Sequence, residues 1–247
     1  MKRVIRSFLC ALCFALFGLG ALGLGGLIFP IILLVYRKPM HQRKILSYFI
    51  HISWRFFVWL MVVMRLISVK CNDFSRLRSL QGHIVIANHP SLIDVVILIS
   101  CIPNSVCVVK KGLFHNFFIK HVIQKIYLSN DLSAEEFINR GKEFLKSGYN
   151  IVIFPEGTRT VKGHNIKLHR GFAYLHLKSE CPILPIHIEN STHILGKNQP
   201  WWDVGTKTSV YMLTLKKDIK YATSKTSKIR DAAIHVTNVA ETEIFSA

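Results

Sequence analysis

The sequence predicts an α/β fold: a mixed, largely parallel sheet flanked by helices and preceded by a membrane-binding helical hairpin. Three observations predict it. An uncharged run opens the chain, from residue 7 to residue 36. From about residue 80, short β-branched segments alternate with helical patterns, the texture of an α/β layer. Two of the expected strands run straight into loops dense in polar, chemically capable residues.

Bulk properties narrow the class. The 247 residues suggest one or two domains, at ~150 residues each. Lys and Arg number 32 against 14 Asp and Glu, a net charge of +18, which calls for an anionic partner. Half of the residues are hydrophobic, and no nucleic-acid-recognition motif is present. Basic and apolar together point to a membrane surface, and no nucleic-acid partner is expected. The six cysteines, at 10, 13, 71, 101, 107 and 181, show no metal-ligand spacing and fit a reducing compartment. Cys10 and Cys13 form a CxxC inside an apolar run, so they read as small packing residues and not a redox pair.

The elements follow in order. Lys2, Arg3 and Arg6 precede the uncharged run, and Arg37, Lys38, Arg43 and Lys44 follow it. Thirty helical residues would measure ~45 Å against a ~30 Å hydrocarbon core. Pro30 is expected to divide the run, leaving about 23 residues before it, still enough to span. The basic flank after the run lacks a small-residue cleavage site and argues for an uncleaved anchor over a signal peptide. A second apolar segment, Ile45–Val69, carries His51, Arg55 and Arg65 with Trp54 and Trp59 between them. A charge near the bilayer centre costs at least ~2.5–3.5 kcal/mol. The segment therefore reads either as a helix lying in the interface or as one packed on the core. The expected division is residues 1–72 as membrane anchor and 73–247 as the α/β domain.

Beyond it, His83–Ala87, Ser105–Lys110, Asn150–Phe154, Ile183–Ile188 and Val210–Leu215 read as strands. Ser133-Ala134-Glu135-Glu136 is a capping box opening a helix that stops before Gly148. Arg170–Ser179 is a further helix, and the tail from Ser224 reads as another.

The first loop motif is Asn88-His89-Pro90-Ser91-Leu92-Ile93-Asp94. His89 and Asp94 would not face each other on one regular helix, where five positions turn through ~140°. Pro90 favours extended backbone before it and suits a first helical turn. His89 then ends a strand while Asp94 sits on the following helix. Folded back, the carboxylate would hold one imidazole nitrogen and leave the other as a base. A buried structural histidine would look the same in isolation. The second motif is Phe154-Pro155-Glu156-Gly157-Thr158-Arg159. Gly157 permits a tight turn, Thr158 offers a hydroxyl and Arg159 a planar fork matched to phosphate. Glu156 would orient Arg159 or bind a substrate hydroxyl. On parallel strands both loops would open on one sheet edge, where α/β ligand sites gather.

Taken in order and spacing, NHPSLID and FPEGTR resemble the first and third blocks of the glycerophospholipid acyltransferase family, typified by lysophosphatidic acid (1-acylglycerol-3-phosphate) acyltransferases. Lys110-Lys111-Gly112-Leu113-Phe114 falls at the second block, and Cys181-Pro182-Ile183-Leu184-Pro185-Ile186 is similar to the fourth. The chain departs from the family at Lys167-Leu168-His169-Arg170-Gly171, where members often carry Phe and two basic residues before the glycine. Including Gln199-Pro200-Trp201-Trp202-Asp203-Val204, the chain also resembles short bacterial members associated with polyene-lipid pathways.

The resemblance implies a membrane-bound O-acyltransferase that moves a fatty acyl group from acyl-CoA or acyl-ACP to a lysophospholipid hydroxyl, with a polyene-type acceptor or an inactive membrane-binding scaffold as alternatives. It implies His89 as general base and Asp94 as its partner. Glu156, Gly157, Thr158 and Arg159 would bind the acceptor, with Lys110 and Lys111 on phosphate or donor. No metal and no resident cofactor are expected. The partners would be the lysophospholipid, the thioester donor and membrane lipids. The location implied is a bacterial inner membrane, with the catalytic domain on its cytoplasmic face.

Overall fold

The computed structural model describes residues 2–109, 111, 124–160, 167–221 and 228–245. Its centre is a seven-stranded sheet in the order β1-β7-β6-β2-β5-β3-β4. The strands are β1 (Ile67–Cys71), β2 (Ile84–Ala87), β3 (Ser105–Val109), β4 (Leu128–Ser129), β5 (Asn150–Ile153), β6 (Ile183–Asn190) and β7 (Ser209–Leu215). All neighbouring pairs are parallel except β6 with β7. The expected α/β class, mixed and largely parallel, is what forms.

Helices cover both faces. On one lie α1 (Lys2–Gly23), α2 (Phe29–Val35), α3 (Pro39–Val63), α4 (Phe74–Ser79) and α5 (Asp94–Cys101). On the other lie α6 (Ala134–Lys146), α7 (Gly171–Ser179) and α8 (Ile229–Phe245). The strand alternation decides which side chain serves which layer. In β2, Val85 and Ala87 face the N-terminal helices, while Ile84 and Ile86 face the C-terminal ones. Both layers are buried and apolar, so the central strands read as continuous apolar runs, as buried parallel strands do. The capping box at Ser133 forms in full, with Glu136 returning a bond to the Ser133 backbone.

The N-terminal region differs from expectation in two respects. Pro30 does not divide the apolar run, because the helix continues through it by way of a π-helical turn at Leu24–Ile28. The Phe29 amide reaches back five residues to the Leu24 carbonyl. That wider turn lies directly before Pro30, where the pyrrolidine ring and its missing N–H would otherwise break the ladder. The second segment is not one helix to Val69. It stops at Val63, Arg65 takes a left-handed φ of 54°, and Ile67–Cys71 becomes the outer strand β1. Leu66, Ile67 and Val69 resume the apolar run after Arg65, which conceals this switch of period in the sequence. Strand β4 and helix α4 are also additional to the sequence reading.

The α1–α3 unit is two-sided. Leu46, Phe57, Leu60 and Met61 of α3 are buried toward the sheet. Tyr48, Ile52, Phe56, Trp59 and Val63 form an exposed stripe at helical spacing, and Phe8, Leu16, Leu19 and Leu22 are exposed on α1. Arg6 is drawn inward and donates to the carbonyls of Arg65, Leu66, Gly205 and Lys207, fastening the start of α1 to the sheet end. Helices Lys2–Val35 and Pro39–Val63 are each long and apolar enough to cross a membrane.

One buried side chain joins the segments that set the start of β2. Asn150 accepts from the His83 amide at 3.1 Å and donates to the carbonyls of Leu80 (2.8 Å) and Pro103 (3.2 Å). Asn150→Ala orphans these groups and is expected to destabilise the fold by about 2–3 kcal/mol in urea melts in mild detergent. A loss below about 0.5 kcal/mol would show that these three hydrogen bonds do not hold the segments together.

Candidate active site

Strands β2 and β5 are adjacent, parallel and in register, Ile84 beside Ile151 through Ile86 beside Ile153. Their carboxyl ends therefore release the two loop motifs side by side. Asn88 ends β2 by using its side chain as a substitute peptide. Its Nδ2 donates to the Ile188 carbonyl at 2.9 Å, and its Oδ1 accepts from the Ile188 amide at 2.7 Å. That pair of hydrogen bonds sets the exit direction of His89.

His89 and Asp94 meet as the sequence suggests, Nδ1 to Oδ2 at 2.9 Å. Ser91 is a bend, Leu92 and Ile93 form a turn, and α5 begins only at Asp94, so Pro90 does not occupy a first helical turn. The turn is held by side-chain bonds in place of a helical ladder. Ser91 donates its amide to Asp94 Oδ2 at 2.6 Å and its hydroxyl to Oδ1 at 2.5 Å, and the Leu92 amide donates to the Leu195 carbonyl. Asp94 is fully buried. Burial pushes its carboxyl above the ordinary value, and the bonds from His89 and Ser91 oppose that push. With Nδ1–H given to Asp94, the lone pair of His89 lies on Nε2. Phe154 stacks on the imidazole with centroids 4.3 Å apart, fixing the plane of the ring.

The second motif supports the first. Glu156 Oε1 accepts from the His89 amide at 2.9 Å and from the Thr160 hydroxyl at 2.7 Å, and the Thr160 amide donates to the His89 carbonyl at 2.7 Å. Glu156 thus turns to His89 and Thr160 instead of to Arg159. Arg159 Nη1 donates to the carbonyls of Leu195 (3.2 Å) and Gly196 (2.7 Å). The Leu195 carbonyl is therefore a common acceptor for both motifs, through Leu92 and Arg159. Gly157 holds φ +66°, and a Cβ there would lie 3.1 Å from the His169 ring, so only glycine fits without displacement. Thr158 is exposed at the loop tip. Lys111 pairs with Asp131 at 3.1 Å, and Lys110 lies outside the described residues.

His89 lines a cavity of 740 Å³ between the sheet end and helices α6 and α7. Val109, Phe137, Ile153, Phe154 and Phe172 make it largely apolar, with His169 and Asn130 among its polar members. The volume lies within the ~300–1,000 Å³ range of organic ligand sites. Among the described residues, no group of His, Cys, Asp or Glu is arranged to hold a metal. Sequence reading passed over Ser91, Thr160, Phe154 and His169. Only Ser91 carried a signal, its place three residues before Asp94, as in side-chain-to-backbone turns.

Burial raises the Glu156 carboxyl above its ordinary 4.5, although bonds from Thr160 and the His89 amide oppose this. The folded protein then holds that proton more tightly than the unfolded chain, so this contribution to stability is present below pH 4.5 and is lost as pH rises through the raised value. Glu156→Gln keeps an acceptor oxygen for both bonds and removes the titration. Melting temperatures followed upward from pH 4 are expected to fall less in this variant than in wild type. Parallel curves would contradict the assignment.

Among proteins of known function, a 1-acyl-sn-glycerol-3-phosphate acyltransferase of Cocos nucifera is 30% identical over 151 residues. That match covers 58% of this chain and 47% of the coconut protein, so the chain spans about half the length of that relative. The human 1-acyl-sn-glycerol-3-phosphate acyltransferase beta is 24% identical over 214 residues, 81% of this chain and 69% of its own. The crystal structure of the 1-acyl-sn-glycerophosphate (LPA) acyltransferase PlsC from Thermotoga maritima superposes over 100% of both chains, with a TM-score of 0.69 and 19% identity, a shared fold. The family model described as Acyltransferase matches residues 39–189, which takes in the His89–Asp94 pair, the Glu156–Arg159 loop and strand β6, and the chain belongs to that family.

Proposed function

We propose that the protein transfers a fatty acyl group from an acyl-CoA or acyl-ACP thioester to the free hydroxyl of a lysophospholipid, with 1-acylglycerol-3-phosphate as acceptor and phosphatidic acid as product. The observation that carries this reading is the His89–Asp94 pair at the rim of a large apolar cavity, beside an arginine-bearing loop. The names of the coconut and human relatives support the acceptor.

In this mechanism His89 Nε2 takes the acceptor hydroxyl proton as the oxygen attacks the thioester carbonyl. The buried Asp94 stabilises the imidazolium. The tetrahedral intermediate collapses, the C–S bond breaks, and the imidazolium returns the proton to the leaving thiolate. A C–O ester bond has replaced the thioester, and His89 is neutral again. No enzyme nucleophile is required. The apolar cavity suits an acyl chain. Arg159, Thr158 and the Gly157 turn would hold the acceptor phosphate through donors not already given to Leu195 and Gly196. Lys110 and Lys111 stand as further phosphate or donor contacts. The exposed apolar stripes on α1 and α3, with basic residues at their ends, would seat the protein in a membrane, where acceptor and product reside. A cytoplasmic catalytic face would meet the soluble donor.

Thiol release from acyl-CoA or acyl-ACP, measured with several lyso-lipids in liposomes, tests the reading. Release is expected only when an acceptor is present and fastest with 1-acylglycerol-3-phosphate. His89→Ala should lower turnover by ~10²–10⁴ while still binding vesicles. Undiminished turnover would remove the mechanism, and vesicle binding without thiol release by wild type would leave a membrane scaffold. Arg159→Ala should raise the acceptor KM with kcat little changed. A kcat loss at constant KM would place Arg159 on the transition state instead.

A further inference from the structure

The segment between β6 and β7 touches the candidate site at one end and helix α1 at the other. At the site, the Leu195 carbonyl accepts from the Leu92 amide and from Arg159 Nη1, and the Gly196 carbonyl accepts from Arg159 Nη1 as well. At the helix, the Trp201 ring meets the Phe14 ring edge-on, with centroids 5.2 Å apart. The Cys10 thiol donates to the Trp201 carbonyl at 3.4 Å, and Arg3 pairs with Asp203. Lys197, Asn198, Gln199 and Pro200 alone separate the two ends.

That short stretch is held in shape. The Gln199 side chain accepts from the Gly196 amide at 3.0 Å, the Asp203 amide donates to the Pro200 carbonyl at 3.1 Å, and Val204 is fully buried. Leu195 keeps a left-handed φ of 59°, which a branched side chain adopts only where its surroundings enforce it. Yet Trp201 and Trp202, packed edge-on, remain 42% and 49% exposed. An indole combines an apolar body with a polar N–H, and settles at the level of lipid headgroups.

The surroundings are cationic. Lys2, Arg3, Arg65, Lys197 and Lys207 are exposed. Arg6 binds the backbone carbonyls of Arg65 and Lys207, which brings both residues to the start of α1. Residues 1–72 contain no Asp or Glu, and Asp203 is the sole acid between residues 191 and 208. The helix turns that hold the loop also expose Val4, Ile5 and Phe8. Apolar rings among uncompensated cations match an anionic lipid surface.

We propose that the Leu195–Val204 loop is a membrane contact in its own right: Trp201 and Trp202 enter the headgroup layer of an anionic lipid surface, and so hold the loop that grips Arg159 at the depth of the acceptor phosphate. The contact is additional to the stripes on α1 and α3, and its link to Arg159 rests on the acyl-transfer reading.

Trp202→Ala removes an exposed ring from the loop tip. With acceptor presented in vesicles of phosphatidylcholine and phosphatidylglycerol, its apparent KM is expected to rise about tenfold, the effect of losing half the burial of one large aromatic side chain. The kcat should hold, and constants for a short-chain acceptor dissolved as monomer should match wild type. An unchanged KM on vesicles, or an equal loss with both presentations, would overturn the proposal. A readout independent of turnover is indole fluorescence in a Trp54→Phe/Trp59→Phe background, with lipids brominated high on the acyl chain. Quenching is expected, stronger than with bromine near the chain end and weaker on phosphatidylcholine alone. Absence of quenching overturns the membrane contact, and equal quenching on both vesicle types overturns the anionic partner. If that background does not fold, the wild-type signal minus that of Trp202→Phe supplies the same reading. Quenched indoles in a protein without acyltransferase activity would sink the acyl-transfer reading alone, whereas an active enzyme with unquenched indoles would sink only the loop contact.

Discussion

The Asp94 carboxylate is buried where an unsatisfied charge would be strongly unfavourable, and the local structure is organised to satisfy it. Ser91 supplies an amide and a hydroxyl, and His89 supplies its Nδ1–H. Three bonds within six residues bend the chain back on itself, and that bend replaces the first helical turn after Pro90. The imidazole is consequently gripped on one nitrogen and open on the other. Asn88 and Glu156 then fix the backbone on either side, by pairing with Ile188 and by holding the His89 amide. A buried polar network of this kind stabilises only when every member is satisfied.

The parallel sheet brings this arrangement to one edge. Adjacent strands β2 and β5 share direction and register, so their exit loops are neighbours without any long-range search. The two faces of the sheet then divide the work. One carries the N-terminal helices, with their exposed apolar stripes, and the other carries the cavity between the sheet end and helices α6 and α7. His89 stands at the rim of the division, at the end of the strand whose side chains serve both layers.

Legibility in the sequence followed the physics of each feature. The His89–Asp94 pair could be read because strand, proline and helix leave few ways to place them. The strands could be read where β-branched runs ended in polar punctuation, as at Ala87 and Ile153. The turn from α3 into β1 could not, since Leu66, Ile67 and Val69 continue an apolar run and the period changes without a breaker. Pro30 misled for the opposite reason: a strong breaker was absorbed by a π-turn that local sequence does not announce. The partners of Glu156 were hidden because a carboxylate beside an arginine in sequence invites pairing, whereas the tertiary fold offers it the His89 amide and Thr160.

Asp94→Asn tests the central claim most directly. The side chain keeps its shape and, because the Ser91 amide can only donate, its oxygen keeps the place facing that amide and His89 Nδ1 while the amide nitrogen turns to the Ser91 hydroxyl; what is lost is the negative charge that stabilises the imidazolium. With folding checked by circular dichroism and turnover by thiol release, the account predicts a folded protein whose kcat is lower by ~10³–10⁴. A folded Asp94→Asn enzyme turning over within a few-fold of wild type would show that the buried carboxylate is a structural feature and not part of the chemistry.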